Sequence, residues 1–219
     1  LQEFGDKNIG LAVTSDVCDG EIFNYPEEIV SDIIPGWPNA VKKYGGQASI
    51  EDLQEVKVSL RKLLNEYDGT CWPYPVHEAA SEGAVKLMKL ILNTSYDFNT
   101  TDNFGHTALH FACIDGRTEV VQLLISSSKK SSINLNARIN YFDSTALHLA
   151  CKNDRGETIQ LMMRHWKEFG IDIKARDKEG KTPLDITKER IRIFGTRKNL
   201  KKMKEMKEMA EMMENEYFK

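Results

Sequence analysis

The chain has 219 residues, a formal net charge of −3 and an apolar content of 41%, which is enough material for one or two domains with their own cores. No apolar run approaches the ~18 residues of a membrane-spanning helix, and the first residues lack the pattern of a signal peptide. Composition therefore argues against a membrane-spanning protein and indicates an ordinary globular one.

Charge is distributed unevenly along the chain. Residues 1–72 hold 6 basic and 13 acidic side chains, residues 73–187 hold 14 of each, and residues 188–219 hold 10 basic and 6 acidic ones. Such asymmetry indicates that charge takes part in the choice of a partner. A solvated surface explains the same pattern equally well, so both interpretations stay open.

Four cysteines, at positions 18, 71, 113 and 151, show no CxxC motif and no paired spacing. Cys113 and Cys151 each follow an alanine in similar segments, so we interpret them as buried thiols that serve packing. Unpaired thiols are typical of a reducing compartment. We therefore expect an intracellular protein, cytoplasmic or nuclear.

The sequence of the N-terminal part predicts helices but contains no recognisable motif. Ser49 is a good N-cap for a helix that runs to about residue 67, and its apolar residues recur at three- and four-residue steps. We interpret residues 1–67 as a divergent helical N-terminal region that caps the domain beginning at residue 68. Residues 1–48 could instead belong to another domain, and because the chain begins at Leu1 we expect it to be a piece of a longer protein.

One structural unit is clearest between residues 102 and 124. A polar turn ends at Gly105, where a tight bend needs a glycine, and the segment TALHFA at residues 107–112 predicts the start of a helix. Gly116 breaks that helix, and apolar residues at 120, 121, 123 and 124 predict a second one.

Three further stretches repeat this unit. They contain PVHEA at residues 75–79, TALHLA at residues 145–150 and TPLD at residues 182–185. The corresponding residues His77, His110, His148 and Asp185 are 33, 38 and 37 residues apart. A turn with two short helices has too little interior to stand alone, so the units must stack on one another.

The pattern resembles the ankyrin repeat, a unit of ~33 residues with a T-P-L-H-x-A core, over about residues 67–194. The resemblance implies an all-α ankyrin-repeat solenoid, with stacked helix-turn-helix units, β-turn fingers and helical N- and C-terminal caps. We place the ankyrin-repeat domain at residues 68–194, with about four units of which the last is incomplete.

Unit three and the connection before it depart from the family pattern. The stretch SSSKKSS at residues 126–132 accounts for five extra residues between units two and three, so we expect an exposed loop without secondary structure. Asp143 and Asp154 stand where the family has glycine. Aspartate tolerates the left-handed backbone conformation better than most residues, so we expect it there.

Residues 195–219 form a charged, Met-rich segment of strong helix formers. We interpret it as a C-terminal helix that caps unit four. A projecting helix that recruits a partner through its methionines, or that joins copies into a homo-oligomer, is the alternative.

Chemical motifs are scarce in this sequence. The histidines at 77, 110 and 148 fall at one repeat position, which in the family holds the turn together, so we do not expect a metal site. Gly-rich phosphate loops and nucleophile motifs are absent, and we therefore expect neither a cofactor nor catalysis. The basic residues from Arg190 to Lys202 are diluted by glutamates and lack stacking aromatics, so nucleic acid is not the expected partner.

The resemblance implies a concave binding face made of finger tips and exposed inner-helix residues. Large aromatic residues occupy three successive tips, and such residues dominate interface hot spots. We therefore predict that another protein or peptide binds at nine positions: Trp72, Phe104, His106, Asp115, Tyr141, Phe142, Lys152, Asn153 and Lys181. The rings could instead pack against neighbouring turns or against the N-terminal cap.

The predicted function is that of a scaffold or adaptor, a protein-protein interaction module without catalytic activity. The runner-up is a targeting or autoinhibitory ankyrin segment of a larger multidomain enzyme.

Overall fold

The computed structural model describes residue 56, residues 75–196 and residues 200–217. The predicted N-terminal region and the first turn, with Trp72, lie outside the described residues apart from Val56. Within the described ranges the fold is all-α, with eight helices and no strand. We number the helices α1 (Pro75–Glu82), α2 (Val85–Ile91), α3 (Ala108–Asp115), α4 (Thr118–Ser131), α5 (Ala146–Lys152), α6 (Gly156–Phe169), α7 (Pro183–Thr196) and α8 (Leu200–Tyr217).

The chain divides into two compact units, Leu1–Ala79 with Ala84–Asp97, and Ala80–Gly83 with Phe98–Lys219. In the first unit, the described part of α2 buries the apolar residues that its sequence predicts, namely Leu87, Met88, Leu90 and Ile91. These four residues belong to the i, i+1, i+3, i+4 set that an amphipathic helix turns toward its core.

The second unit is built from helix pairs that lie side by side. Helix α3 packs on α4 and α5, α4 packs on α6, and α5 packs on α6 and α7. Buried Val120, Leu124, Ile159 and Met162 fill the space between α4 and α6. Successive pairs therefore share one apolar interior, which confirms the predicted all-α repeat architecture.

Helices α3 and α5, the inner helices of their pairs, each start with a Thr–His pair that also binds the next repeat. The Nδ1 atom of His110 accepts the backbone N–H of Thr107 at 3.0 Å, and its Nε2 atom donates to the carbonyl of Ala137 at 3.0 Å. His148 does the same with Thr145 at 3.2 Å and with the carbonyl of Lys181 at 3.1 Å. Because Nδ1 accepts from a backbone amide, each ring is neutral and carries its proton on Nε2.

The fourth repeat uses a carboxylate for the same purpose. Asp185 accepts the backbone N–H of Thr182 at 3.0 Å and its hydroxyl at 2.7 Å. These hydrogen bonds lower the pKa of Asp185. Aspartate cannot donate onward as His110 and His148 do, so this helix start is satisfied locally.

The two aspartates that replace family glycines have the expected backbone. Asp143 has φ 53° and Asp154 has φ 58°, both in the left-handed region. The carboxylate of Asp154 is bound by the guanidinium of Arg190, which forms a two-pronged ion pair with it. The polar side chain thus serves as a contact to the next repeat.

The prediction of an exposed loop at residues 126–132 is wrong. Helix α4 continues to Ser131, and Ser128 is buried with its hydroxyl donating to the carbonyl of Ile125 at 2.7 Å. Serine hydroxyls can bind the preceding turn of a helix, and Lys129 and Lys130 suit the negative end of the helix dipole. The extra residues therefore lengthen the helix, which ends at Ser132 with φ 51°.

The C-terminal helix α8 packs on α7 and α6. Met206, Met209, Ala210 and Met213 are buried, and these positions follow the three- and four-residue steps of one helix face. Ion pairs at the rim join Lys188 to Glu214 at 2.6 Å and Lys167 to Glu216 at 3.1 Å. The geometry favours the capping interpretation, since these methionines contact their own chain. In the described parts, no helix is long and apolar enough to cross a membrane.

The first prediction concerns the loss of stability in acid that His110 causes. Burial lowers the pKa of His110 to about 4 from 6.5, so between those values the unfolded chain binds more protons than the folded one. The free energy of unfolding should therefore fall by about 3 kcal/mol as pH falls from about 6.5 to 4. Urea unfolding measured across this range tests the expected loss.

The control variant is His110→Gln, because glutamine can complete the same capping box without titrating. The difference between wild type and variant isolates residue 110 from the carboxylates, which also lose stabilising interactions in acid. Parallel pH profiles for the two proteins would show that His110 is not the group responsible.

Candidate functional site

Three polar turns, which we call fingers two, three and four, project from the second unit at residues 102–105, 140–143 and 177–180. In finger two, Asp102 accepts the backbone N–H groups of Phe104 at 2.9 Å and of His106 at 2.7 Å. Asp177 makes the same two bonds in finger four, each at 2.9 Å. Short carboxylate side chains stabilise such turns by binding backbone groups a few residues ahead, so these tips are held in one conformation.

Neighbouring fingers are joined by backbone hydrogen bonds. The N–H of Asn140 donates to the carbonyl of Phe104 at 2.8 Å, and the N–H of Lys178 donates to that of Phe142 at 2.9 Å. A Cβ at Gly105 would lie 2.7 Å from the backbone nitrogen of Asn140. Glycine therefore permits both the positive φ of 85° and the approach of finger three.

Aromatic rings at the tips of fingers two and three face solvent. Phe104 is 66% exposed, Tyr141 67% and Phe142 43%. The rings of Tyr141 and Phe142 meet edge to face with centroids 4.9 Å apart. Phe104 and Tyr141 thus leave most of their surface open instead of packing into adjacent turns.

Two cavities lie beside these rings. The first, which we call the apolar cavity, has a volume of about 230 Å³, and among the described residues lining it Lys152 is the only Lys, Arg, Asp or Glu. The second, the charged cavity, has about 520 Å³ and adjoins finger four. The apolar cavity is lined by Phe104, His106, Ile114, Ile139, Tyr141, Phe142, Leu149, Lys152 and Asn153. Tyr141, Phe142 and Lys152 line both cavities, so together they form one continuous face.

Most of the predicted site residues come together on this face. Phe104, His106, Tyr141, Phe142, Lys152 and Asn153 line the apolar cavity, and Lys181 lines the charged one. Asp115 lines neither cavity; it accepts the hydroxyl of Ser81 at 2.6 Å. Trp72 lies outside the described residues.

Two of these residues are held within the fold. The Nδ1 atom of His106 lies 3.0 Å from a carboxylate oxygen of Asp102, and its ring centroid lies 5.4 Å from that of Phe111. Lys181 is bound by Glu179 at 2.9 Å and by Glu189 at 2.7 Å. Both side chains therefore support the face, whereas Lys152 and Asn153 are exposed on it.

A series of arginines to which the sequence pattern assigns no role joins neighbouring repeats. The Nε atom of Arg117 donates to the carbonyl of Ser81 at 2.6 Å, and that of Arg155 donates to Ile114 at 2.7 Å. Arg190, which belongs to the basic cluster of the sequence, instead donates to the side-chain carboxylate of Asp154. Arginine at a helix C-terminus satisfies carbonyls that have no partner within the helix. The near-regular spacing of these arginines is the signal that could have identified them.

The two cysteine thiols among the described residues are not poised for catalysis. The thiols of Cys113 and Cys151 are buried, and burial raises the pKa of Cys151 to about 12 and that of Cys113 further. A thiol held in its protonated form is a poor nucleophile. No group of three His, Cys, Asp or Glu side chains in the described ranges is placed to hold a metal ion.

Comparison with known proteins identifies the family. Two family models match: ankyrin repeats (3 copies) over residues 52–139, and ankyrin repeats (many copies) over residues 132–186. The chain belongs to the ankyrin-repeat family. Ankyrin repeats are protein-protein interaction modules, and fingers two, three and four are the ankyrin fingers.

Curated relatives match over short stretches. The chain is 36% identical to osteoclast-stimulating factor 1 of Danio rerio over 52 residues, which is 24% of each chain. It is 37% identical to human protein phosphatase 1 regulatory subunit 27 over 51 residues, 23% of this chain and 33% of that protein. It is 41% identical to the probable E3 ubiquitin-protein ligase XBOS33 of Oryza sativa subsp. japonica over 51 residues, 23% of this chain and 10% of that protein. The chain therefore covers between a tenth and a third of these relatives.

The second prediction tests the contact between fingers. Gly105→Ala should destabilise the ankyrin repeats by about 2 kcal/mol or more, because a Cβ there meets both a positive φ and the backbone of finger three. Urea unfolding gives the free energy.

Gly180→Ala is the matched control, since Gly180 has φ 76° but open space around its Cβ position. It should cost only the conformational term, about 1 kcal/mol. Equal losses for the two variants would mean that contact between the fingers contributes nothing to stability.

Proposed function

We propose that this ankyrin-repeat protein is a non-catalytic scaffold or adaptor that binds a partner protein through the face formed by its fingers and inner helices. One observation carries the proposal: Phe104 and Tyr141 are exposed on consecutive fingers beside the apolar cavity. Exposed apolar clusters with a polar rim are typical of interaction sites. Aromatic anchors of this kind supply most of the binding energy in such sites.

Rigidity of the fingers supports this function. The turns are held by Asp102 and Asp177, and finger three is hydrogen-bonded to both of its neighbours. A partner that meets a prearranged surface loses less conformational entropy on binding than one that must order a loop. The backbone that carries the aromatic rings is therefore held in a fixed arrangement.

The inner helix α5 contributes the polar part of the same face. Lys152 and Asn153 are exposed at its C-terminal end and line the apolar cavity together with the rings. This arrangement, with apolar anchors surrounded by polar groups, matches the organisation of protein interfaces.

The runner-up function is a targeting or autoinhibitory ankyrin segment within a larger enzyme. The match to 10% of a protein named as a probable ubiquitin ligase favours it, because a similar stretch there forms a small part of a longer chain. Sequencing the complete open reading frame tests this candidate. A flanking catalytic domain supports it, and natural ends at residues 1 and 219 exclude it.

The third prediction tests the binding face. A partner is first identified by affinity purification and mass spectrometry with the wild-type chain as bait, and is then produced in pure form. Phe104→Ala and Tyr141→Ala should each weaken its binding by about 2 kcal/mol or more, roughly 30-fold in Kd. Calorimetric titration of the purified pair gives the affinities.

Trp166→Ala serves as the control, because Trp166 is a large half-buried ring on α6 that lines neither cavity. Its affinity should equal that of wild type once the melting temperatures show that all variants are folded. Full affinity in both finger variants would rule this face out as the binding site.

A further inference from the structure

Two lysines that line the cavities contact aromatic rings. The Nζ atom of Lys152 lies 4.7 Å from the ring centroid of Phe142, and that of Lys178 lies 4.8 Å from the ring centroid of Tyr141. Among the described residues, neither ammonium lies within 4.0 Å of a carboxylate oxygen. A ring attracts a cation without neutralising it. Glu179 acts on Lys152 only at longer range, so both ammonium groups can still form a direct ion pair with a partner.

The carboxylates around the two cavities are already engaged. Asp143 is bound by Arg138 at 2.6 Å, Glu179 and Glu189 by Lys181 at 2.9 and 2.7 Å, Asp154 by Arg190, and Asp177 by two backbone N–H groups of its own finger. An incoming basic group would meet Lys152 and Lys178 as like charges. An incoming carboxylate would gain Lys152 and Lys178 without breaking an ion pair, so charge complementarity favours an acidic partner.

The apolar cavity indicates which kind of side chain the partner inserts. Its volume of about 230 Å³ lies below the range of about 300–1,000 Å³ that is usual for pockets of free small ligands. It suits one side chain of a larger partner, and its lining of Phe104, Ile114 and Leu149 selects an apolar one. Lys152 stands at its edge, so a carboxylate close in sequence to that apolar side chain meets the ammonium.

We propose that the partner contributes an acidic-apolar segment, in which one large apolar side chain enters the apolar cavity and neighbouring carboxylates lie against Lys152 and Lys178. The proposal rests on the proposed function and names the chemistry of the partner. It distinguishes this face from one that would take a basic or a purely apolar peptide.

The fourth prediction uses a displayed library of random peptides of about 12 residues as the probe. It is selected in parallel on three immobilised proteins: wild type, Lys152→Glu/Lys178→Glu, and Phe104→Ala/Tyr141→Ala. Wild type should enrich peptides with Asp or Glu within a few residues of Trp, Phe or Leu. The charge-reversed protein should enrich peptides with Lys or Arg in those positions, and the alanine protein should enrich neither.

A synthetic copy of one enriched peptide then gives affinities by fluorescence anisotropy. Lys152→Glu/Lys178→Glu should weaken its binding at least about tenfold, and raising NaCl from about 50 to 300 mM should weaken wild-type binding. Lys207→Glu makes the same charge change at an exposed position of α8 and should leave Kd unchanged. Lys152→Met/Lys178→Met removes the charges without opposing the dipole of α5, and should weaken binding by an intermediate factor.

The outcomes separate this inference from the proposed function. If the peptides enriched on the wild-type protein lack acidic residues but do not bind Phe104→Ala/Tyr141→Ala, the charge inference is overturned and the binding face is left intact. Peptides that bind the alanine protein as well as wild type would overturn both. If selection on wild type enriches only peptides that the charge-reversed protein also enriches, the inference is overturned as well.

Discussion

The second unit depends on the hydrogen bonds that each inner-helix histidine makes in two directions. Nδ1 of His110 closes the start of its own helix, while Nε2 reaches the carbonyl of Ala137 at the base of the following finger. His148 repeats this arrangement with Lys181 of finger four. A buried polar ring with both nitrogens satisfied is stabilising, whereas the loss of either partner leaves a costly unpaired group. One residue type therefore couples helix formation to the stacking of repeats.

The binding face is a consequence of this coupling. Because the base of finger three is tied to α3 by His110, its tip can carry large rings without collapsing onto the surface. The backbone bonds from Asn140 to Phe104 and from Lys178 to Phe142 hold the tips together. Exposure of Phe104 and Tyr141 is thus maintained by buried polar interactions elsewhere in the same repeats.

Local chemistry explains which features can be predicted from the sequence. Thr107 and His110 act within three residues of each other, so their pattern indicates a helix start without knowledge of the fold. The left-handed conformation of Asp143 and Asp154 can be predicted because it depends on the local backbone at positions where the family has glycine. The exposure of the rings is predictable because each ring lies at the tip of a turn that is formed by residues close together in the sequence.

The remaining features depend on contacts between repeats. Arg117 and Arg155 bind carbonyls 36 and 41 residues earlier in the chain, a distance that no local pattern reveals. The sequence also does not reveal which side of α8 is buried. Its methionines recur at steps of three and are therefore spread around the helix, and packing on α7 determines which side is buried. The polar stretch at residues 126–131 has the composition of a loop, although its hydroxyls can satisfy a helix equally well.

Sharing of side chains between the two cavities has a thermodynamic consequence. Tyr141, Phe142 and Lys152 belong to both, so a group that fills one cavity restricts rotamers that the other also requires. The entropy of ordering these three side chains is lost only once. We therefore expect two adjacent anchors of a single ligand to bind with positive cooperativity, so that their combined affinity exceeds what the separate anchors contribute.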